Sequence, residues 1–156
     1  MSKSLARVIA ALQAAGIAST PLEMAAETRT APQAAAAAGC ALDQIVKSIL
    51  FAGADSGRLY LFLTAGGNQV DLAKASVLAG EILERAEARQ VREVTGFAIG
   101  GVSPLGHLTP CPEFFDPRLL DFPQVWGAAG TPRHIFPIAP ADLLRITGAR
   151  LADFTA

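Results

Sequence analysis

The sequence predicts an α+β fold in which a mixed, largely antiparallel β-sheet is flanked by helices. Helical and strand patterns alternate irregularly along the 156 residues, which favours this class over a doubly wound parallel sheet. Two apolar runs joined by a short turn near residue 55 predict an antiparallel hairpin. Hydrophobic residues make up 51% of the chain and charged residues 17%, so we expect a sizeable core within one domain spanning residues 1–156.

The first two helices are predicted from capping residues and apolar spacing. Ser4 is expected to cap a helix whose apolar positions recur every three or four residues until Gly16. A short extended piece is expected around residues 20–27. Thr30 is expected to cap a second helix, which continues through an alanine run and ends at Gly39.

The middle of the chain predicts the hairpin and two further helices. Residues 45–52 and 59–64 are apolar and predict the two strands, with a turn at residues 54–57. Asp71 is expected to cap a short helix over residues 72–78. A second helix is expected from about residue 82 to residue 94, with its charged residues on a solvated face.

The last third of the chain predicts irregular structure, two strands and a helix. Residues 107–123 contain four prolines and are expected to form irregular chain with one short strand. Residues 124–128 and 133–138 are predicted strands. Pro140 is expected near the start of the last helix, which ends at Gly148.

Charge and hydropathy exclude several classes of function. The net charge of −1 argues against a protein that coats nucleic acid, although a local basic patch could still contact one end of an RNA. No helix-turn-helix pattern indicates a DNA-binding regulator. No apolar run reaches the ~18 residues of a membrane span, and no signal-peptide pattern is present. We therefore expect a cytoplasmic protein whose partners include neither DNA nor a membrane.

The cysteines and histidines predict no metal site, and we expect no cofactor. Cys40 and Cys111 are far apart and lack the CxxC spacing, and His107 and His134 are the only histidines. His107, in the proline-rich segment, is expected to be exposed. Cys40 follows a helix-ending glycine and is expected to be a small buried hydrophobic residue. Cys111 lies between two prolines with no base in view, so a nucleophilic role is not indicated.

Lys47 is the most informative residue, because it interrupts an apolar strand. Strand alternation places Val46 and Ser48 on one face and Ile45, Lys47 and Ile49 on the other. The ammonium could extend to solvent from a packed stem. Alternatively it faces a pocket, since full burial without a partner would be strongly unfavourable. The sequence leaves both interpretations open.

A glycine-rich loop about fifty residues later is the second candidate element. Gly100, Gly101, Val102, Ser103 and Pro104 begin the run that ends at Gly106. A structural interpretation is a turn that needs positive φ and a fixed proline. A functional interpretation is a set of main-chain amides close to a carbonyl or a phosphate. The loop lacks the spacing of a nucleotide-binding P-loop.

Taken together, five segments make the chain resemble the aminoacyl-tRNA deacylases of the YbaK/EbsC type. The same domain occurs as the editing insertion of bacterial prolyl-tRNA synthetases. The segments appear in the family's order and comprise Ala26–Thr28, Asp43–Leu50, Val70–Leu72, Thr95–Gly106 and Ala141–Leu144.

The resemblance implies hydrolysis of a wrong, small amino acid from a tRNA, with tRNA-Pro as the expected carrier. It implies that Lys47 contacts the substrate near the ester and the terminal ribose, while amides near Gly101 and Val102 polarise the carbonyl. Water or a substrate hydroxyl would then attack. The tRNA acceptor end is the implied partner, and a synthetase is a further candidate partner.

A synthetase discriminates poorly between amino acids that differ by one methylene. A second, hydrolytic pocket can exclude the correct amino acid by size, so the side-chain pocket of the deacylase decides which amino acid is removed. The resemblance makes His134 a candidate gate for a residue of alanine size, because a histidine in that area occurs in alanine-selective editing domains. The residues expected to bind substrate are Ile45, Ile49, Phe97, Gly100, Ser103, Pro104, His134 and Phe136.

Two alternatives stay open at the level of the sequence. Within the enzymes, the edited residue could instead be cysteine, serine or threonine. In another class, the chain could be a non-catalytic tRNA-binding or regulatory module of the same fold. A pocket that joins Lys47 to Gly101 and opens beside basic residues would favour editing. The candidate basic residues are Lys74, Arg85, Arg89 and Arg133.

Overall fold

The computed structural model describes all 156 residues and has the predicted α+β architecture. Five helices flank one eight-stranded mixed sheet. The helices are α1 (Lys3–Ala14), α2 (Ala31–Ala38), α3 (Leu72–Ala79), α4 (Ala88–Thr95) and α5 (Pro140–Thr147). The strands are β1 (Leu22–Glu23), β2 (Ile45–Gly53), β3 (Leu59–Ala65), β4 (Leu83–Arg85), β5 (Glu113–Phe115), β6 (Val125–Ala128), β7 (His134–Ile138) and β8 (Arg150–Leu151).

The β2–β3 hairpin forms the centre of the sheet, as predicted. Its antiparallel register pairs Lys47 with Thr64 and Ile49 with Phe62. The main path of the sheet has the order β1-β7-β6-β2-β3-β5-β8, and β4 pairs with β2 beside this path. Pairing is antiparallel within β2–β3, β2–β4, β6–β7 and β1–β7, and parallel within β2–β6, β3–β5 and β5–β8.

The sheet is covered on both faces, so β3 is buried along its whole length. On one face, α1, α4 and α5 cover the largest apolar cluster, which includes Val46 and Phe136. On the other face, a smaller cluster around Phe62 packs under α3, and a third cluster joins α2 to Ile45. This division confirms the predicted alternation of β2, because Val46 and Ile45 belong to different faces.

Most helix ends follow the predicted capping chemistry. The Thr30 hydroxyl and the Gln33 side chain form a reciprocal capping box at the start of α2. The carboxylate of Asp71 accepts from two main-chain N–H groups at the start of α3. The predicted cap of α1 is wrong by two residues, since Ser2 rather than Ser4 accepts from the Leu5 N–H.

The structure differs from the sequence prediction at two elements. The helix expected from about residue 82 begins only at Ala88, because Leu83–Arg85 form β4 on the edge of β2. The charged residues of this segment are typical of a solvated helix face, which is why a helix is predicted from the sequence. Pairing of Leu83–Arg85 with β2, a strand distant in the chain, decides the conformation instead. β8, with exposed residues, was not predicted. No helix in the structure has the length and apolar character required to cross a membrane.

Candidate functional site

A cavity of about 880 Å³ lies where β2 is flanked by both β4 and β6. Its walls come from β2, from the loop before Ser103, from the segment that leads into α2, and from parts of β4, α4, β6 and β7. The lining residues include Arg29, Ile45, Lys47, Ser48, Ile49, Leu50, Arg85, Gly100, Val102, Trp126 and Ile135. Of the 27 lining residues 15 are hydrophobic, and the polar or charged side chains are those of Thr28, Arg29, Thr30, Lys47, Ser48, Gln69 and Arg85.

Lys47 lines this cavity, so the pocket interpretation of its position is the one the fold supports. Its ammonium donates a hydrogen bond to the main-chain carbonyl of Asn68, in the loop after β3. Burial lowers the pKa of Lys47 below its ordinary value, and the negative charges of Asp116 and Asp43 oppose that effect. The two carboxylates therefore favour the charged form of the lysine.

A buried carboxylate organises the loop that binds Lys47. Asp116 is 2% exposed and accepts from Asn68 Nδ2 at 2.9 Å and from the Ala65 N–H at 3.0 Å. Its second oxygen accepts from the Arg118 N–H at 3.0 Å. Three donors compensate the burial of this charge.

Asp43 braces the same region from the segment before β2. Its carboxylate accepts from the Gly67 N–H at 2.8 Å and from Arg118 Nε at 3.0 Å. Asp43, Asp116 and Asn68 were not identified as site residues from the sequence. A usable signal existed for Asp116, since an aspartate follows the buried strand β5 and precedes Pro117.

The glycine-rich loop reaches the cavity through a tight turn. The Gly101 N–H donates to the Ala98 carbonyl at 3.0 Å, and Gly100 has a φ of +93° at the third position of this turn. A type II turn requires a positive φ there, which favours glycine. The Gly101 amide is thus engaged within the loop. Gly100 and Val102 line the cavity, and their main-chain N–H groups have no acceptor in the protein.

The predicted site residues divide into two groups. Lys47, Val102, Ile45, Ile49 and Gly100 line the cavity. The others lie outside its wall: Gly101, Phe97, Ser103, Pro104, His134 and Phe136.

Phe97 and Phe136 are fully buried in the main apolar cluster, and Ser103 is fully buried as well. These side chains lie in the protein interior and do not line the cavity. Their packing supports the loop and the strands that do.

β7 contributes Ile135 to the cavity, one residue after the predicted His134. Neighbouring strand residues point to opposite faces, so the His134 ring lies on the other side of the sheet from Ile135. His134 Nδ1 is 2.6 Å from Thr131 Oγ1. His107 also differs from expectation, because it is half-buried with Nε2 2.6 Å from the Ser103 carbonyl and its ring against Phe97.

Two arginines supply positive charge at the cavity. Arg29 and Arg85 line it, and a Cβ built on Gly100 would lie 3.3 Å from Arg29 Cγ. Arg29 also pairs with Glu27 at 3.4 Å, with half of its side chain exposed. Of the predicted basic residues, only Arg85 lines the cavity. The others have different partners: Lys74 contacts Asp153, Arg89 contacts Glu93, and Arg133 donates to the Ala25 carbonyl.

A known protein family and a bacterial relative share the sequence pattern of this chain. The family model of the aminoacyl-tRNA editing domain matches residues 25–146. The chain is 32% identical to the uncharacterized protein YwhH of Bacillus subtilis (strain 168) over 122 residues, which cover 78% of this chain and 76% of that protein.

Solved structures share the fold over nearly the full length. A structure described as "Crystal structure of a putative trans-editing enzyme for prolyl tRNA synthetase" superposes with a TM-score of 0.92 at 48% identity, covering 100% of this chain and 99% of that one. The structure of the hypothetical protein APE2540 superposes with a TM-score of 0.89 at 29% identity, covering 96% and 99% of the two chains.

Proposed function

Since the chain belongs to the aminoacyl-tRNA editing domain family, we propose that it is a deacylase that removes a small, wrongly attached amino acid from a tRNA. One observation carries this proposal. A half-buried lysine lines the same cavity as Gly100 and Val102, whose main-chain N–H groups have no acceptor in the protein. A cation and free N–H donors are the groups needed to stabilise negative charge on an ester carbonyl oxygen.

The proposed reaction needs no strong nucleophile from the protein. Water attacks the carbonyl carbon, the bond to the ribose oxygen breaks, and that oxygen takes up the proton that water releases. The products are the free amino acid and a tRNA with its terminal hydroxyl restored. Positioning and charge stabilisation supply the rate enhancement.

Lys47 is proposed to act as an electrostatic and positioning group near the ester and the terminal ribose. Burial lowers the pKa of Lys47, and the nearby carboxylates of Asp116 and Asp43 oppose that shift by favouring the protonated form. A protonated lysine is a poor base and nucleophile, and it is well suited to attract a developing oxyanion. The amides of Val102 and Gly100 are the proposed donors to that oxyanion.

A small amino acid on tRNA-Pro is the proposed substrate. Ile45, Ile49 and Ile135 give the cavity an apolar wall that the side chain of the amino acid would face. The solved relative described as a trans-editing enzyme for prolyl-tRNA synthetase supports the choice of tRNA. Arg29 and Arg85 are proposed to contact the phosphates of the acceptor end.

A deacylation panel tests the proposal. Purified protein is incubated with tRNA-Pro carrying alanine, cysteine, serine, threonine or proline, and the remaining ester is measured over time. We expect rapid loss of at least one small residue and no loss of proline. If every ester decays at its uncatalysed rate while the tRNA still binds, the non-catalytic tRNA-binding alternative replaces this proposal.

A further inference from the structure

One edge of β2 is unpaired where it borders the cavity. On that edge, β6 pairs with β2 at Ile45 and Val46, and β4 pairs with it at Phe51–Gly53. Between the two ladders, residues 47–50 have a strand partner only on the β3 side. All four of these residues line the cavity. The gap in the sheet is therefore the floor of the site.

Hydrogen-bond alternation identifies the main-chain groups that point into this gap. The Gly53 N–H donates to the Arg58 carbonyl at 2.8 Å, which places Gly53 in a hydrogen-bonded pair of the hairpin. Such pairs recur at every second residue of an antiparallel ladder, so the odd-numbered residues of β2 bond to β3. The N–H and C=O groups of Ser48 and Leu50 therefore point away from β3, toward the gap.

Ser48 adds a second polar feature at the same place. Its hydroxyl is buried and has no hydrogen-bond partner, and it is the only buried side-chain polar atom in this condition. The residues beside it on the same face, Val46 and Leu50, are apolar. Buried polar groups without partners are rare in native proteins and call for an explanation such as a functional role.

We propose that this open edge binds the α-ammonium group of the aminoacyl ester. The inference rests on the proposed function and names the part of the substrate that the edge binds. An ammonium has three donors and no acceptor. The carbonyls of Ser48 and Leu50 and the Ser48 hydroxyl offer three oxygens for it. The edge thereby positions the carbonyl carbon, which is bonded to the carbon that bears the ammonium.

The consequence is a defined substrate class, namely aminoacyl esters with a free amino group. N-acylation removes the positive charge and leaves one donor on a larger group. Replacement of the amine by a hydroxyl keeps the size but loses the charge and two donors. Peptidyl and other N-blocked esters are therefore excluded from the site.

Three esters of the same carbon skeleton test this inference. The amino acid removed fastest in the deacylation panel is compared with its hydroxy-acid analogue and its N-acetyl derivative, each on the same tRNA. Every rate is divided by the uncatalysed rate of that ester, because the ammonium itself activates the ester. We expect the normalised kcat/KM to fall about 10- to 100-fold for both analogues.

The outcomes separate this inference from the proposed function. Equal normalised rates for all three esters would overturn the binding of the ammonium while leaving the deacylase intact. Absence of enzymatic hydrolysis of every ester, the free aminoacyl ester included, would overturn the proposed function and this inference with it.

Ser48→Ala tests the contribution of the hydroxyl. We expect the preference for the amino ester over the hydroxy ester to shrink severalfold, with an unchanged or higher melting temperature, because the removed hydroxyl has no partner in the protein. Unchanged discrimination in a folded Ser48→Ala variant would overturn the role assigned to this side chain.

Discussion

The ammonium of Lys47 donates to the main-chain carbonyl of Asn68, and the side chain of Asn68 donates in turn to Asp116 at 2.9 Å. The cation is thereby positioned by a loop that a buried carboxylate organises. Such preorganised charge is effective in stabilising a transition state, because little rearrangement is needed during the reaction.

Substitution of Lys47 is expected to abolish most of the activity. In Lys47→Ala, we expect kcat/KM for deacylation to fall about 100- to 1000-fold, since a preorganised donor to the oxyanion is lost. Deacylation assays measure the loss, and circular dichroism checks the fold. Lys74→Ala is the matched control, because Lys74 lies outside the cavity in an exposed ion pair with Asp153. Normal deacylation by a folded Lys47→Ala protein would contradict the assigned role.

Asp116→Asn is expected to lower both stability and turnover. The amide retains one oxygen, so one of the three N–H donors now at the carboxylate faces another donor. We expect the free energy of unfolding to fall by about 1–3 kcal/mol. Misplacement of Lys47 should lower kcat more than it raises KM. Urea unfolding and steady-state kinetics measure the two effects. Asp153→Asn, at an exposed carboxylate, should change neither; a kcat unchanged in Asp116→Asn would refute the positioning role.

Gly100→Ala should lower the deacylation activity by more than the backbone strain alone explains. Gly100 has a φ of +93°, and an added Cβ would lie 3.3 Å from Arg29 Cγ. Gly148→Ala is the matched control, with a φ of +65° and no atom within 4 Å of the added Cβ. Both variants should lose about 1 kcal/mol of stability. Only Gly100→Ala should lose deacylation, by about 10- to 100-fold. Equal activities in the two variants would exclude a catalytic contribution of the turn.

Two neighbouring residues of β7 provide a test of the size gate. Ile135 lines the cavity, whereas His134 lies on the opposite face. Ile135→Ala should enlarge the pocket and raise the relative kcat/KM for a larger amino acid by about tenfold. His134→Ala should leave this ratio unchanged. Competition between two aminoacyl-tRNAs measures the ratio. The reverse pattern would restore His134 as the gate predicted from the sequence.

Glu113 should make the stability depend on pH. Burial raises the pKa of Glu113 from 4.5 to about 8. A raised pKa in the folded state means that the folded protein binds the proton more tightly than the unfolded chain. The contribution of protonated Glu113 to the free energy of unfolding is therefore fully present below pH 4.5 and is lost as the pH rises to about 8.

Glu113→Gln removes that dependence. Urea unfolding of the variant should show a flatter stability profile across this pH window and a higher stability than the parent at its alkaline end, by on the order of a few kcal/mol. Glu93→Gln, at an exposed ion pair with Arg89, is the control and should keep the parental slope. A parental slope in Glu113→Gln would contradict the assignment.

Local sequence patterns were sufficient to predict the elements whose stabilising contacts lie within a few residues. The capping box of Thr30 and Gln33, the hairpin of β2 and β3, and the division of Ile45 and Val46 between two faces all follow from residues close in the sequence. The side-chain period of a strand and the donors of a helix end are fixed within a few residues. For the same reason, the sequence identified Lys47 and the loop around Val102 as candidate site elements.

The sequence by itself thus determined the fold class, the family and two walls of the site. Only the tertiary structure decided that Leu83–Arg85 form a strand, that Ile135 rather than His134 faces the cavity, and that Asp116 organises the loop that binds Lys47. It also decided that the edge of β2 away from β3 is unpaired at residues 47–50, since this gap depends on where β4 and β6 end. These features arise from contacts between residues far apart in the chain, and no local periodicity encodes such contacts.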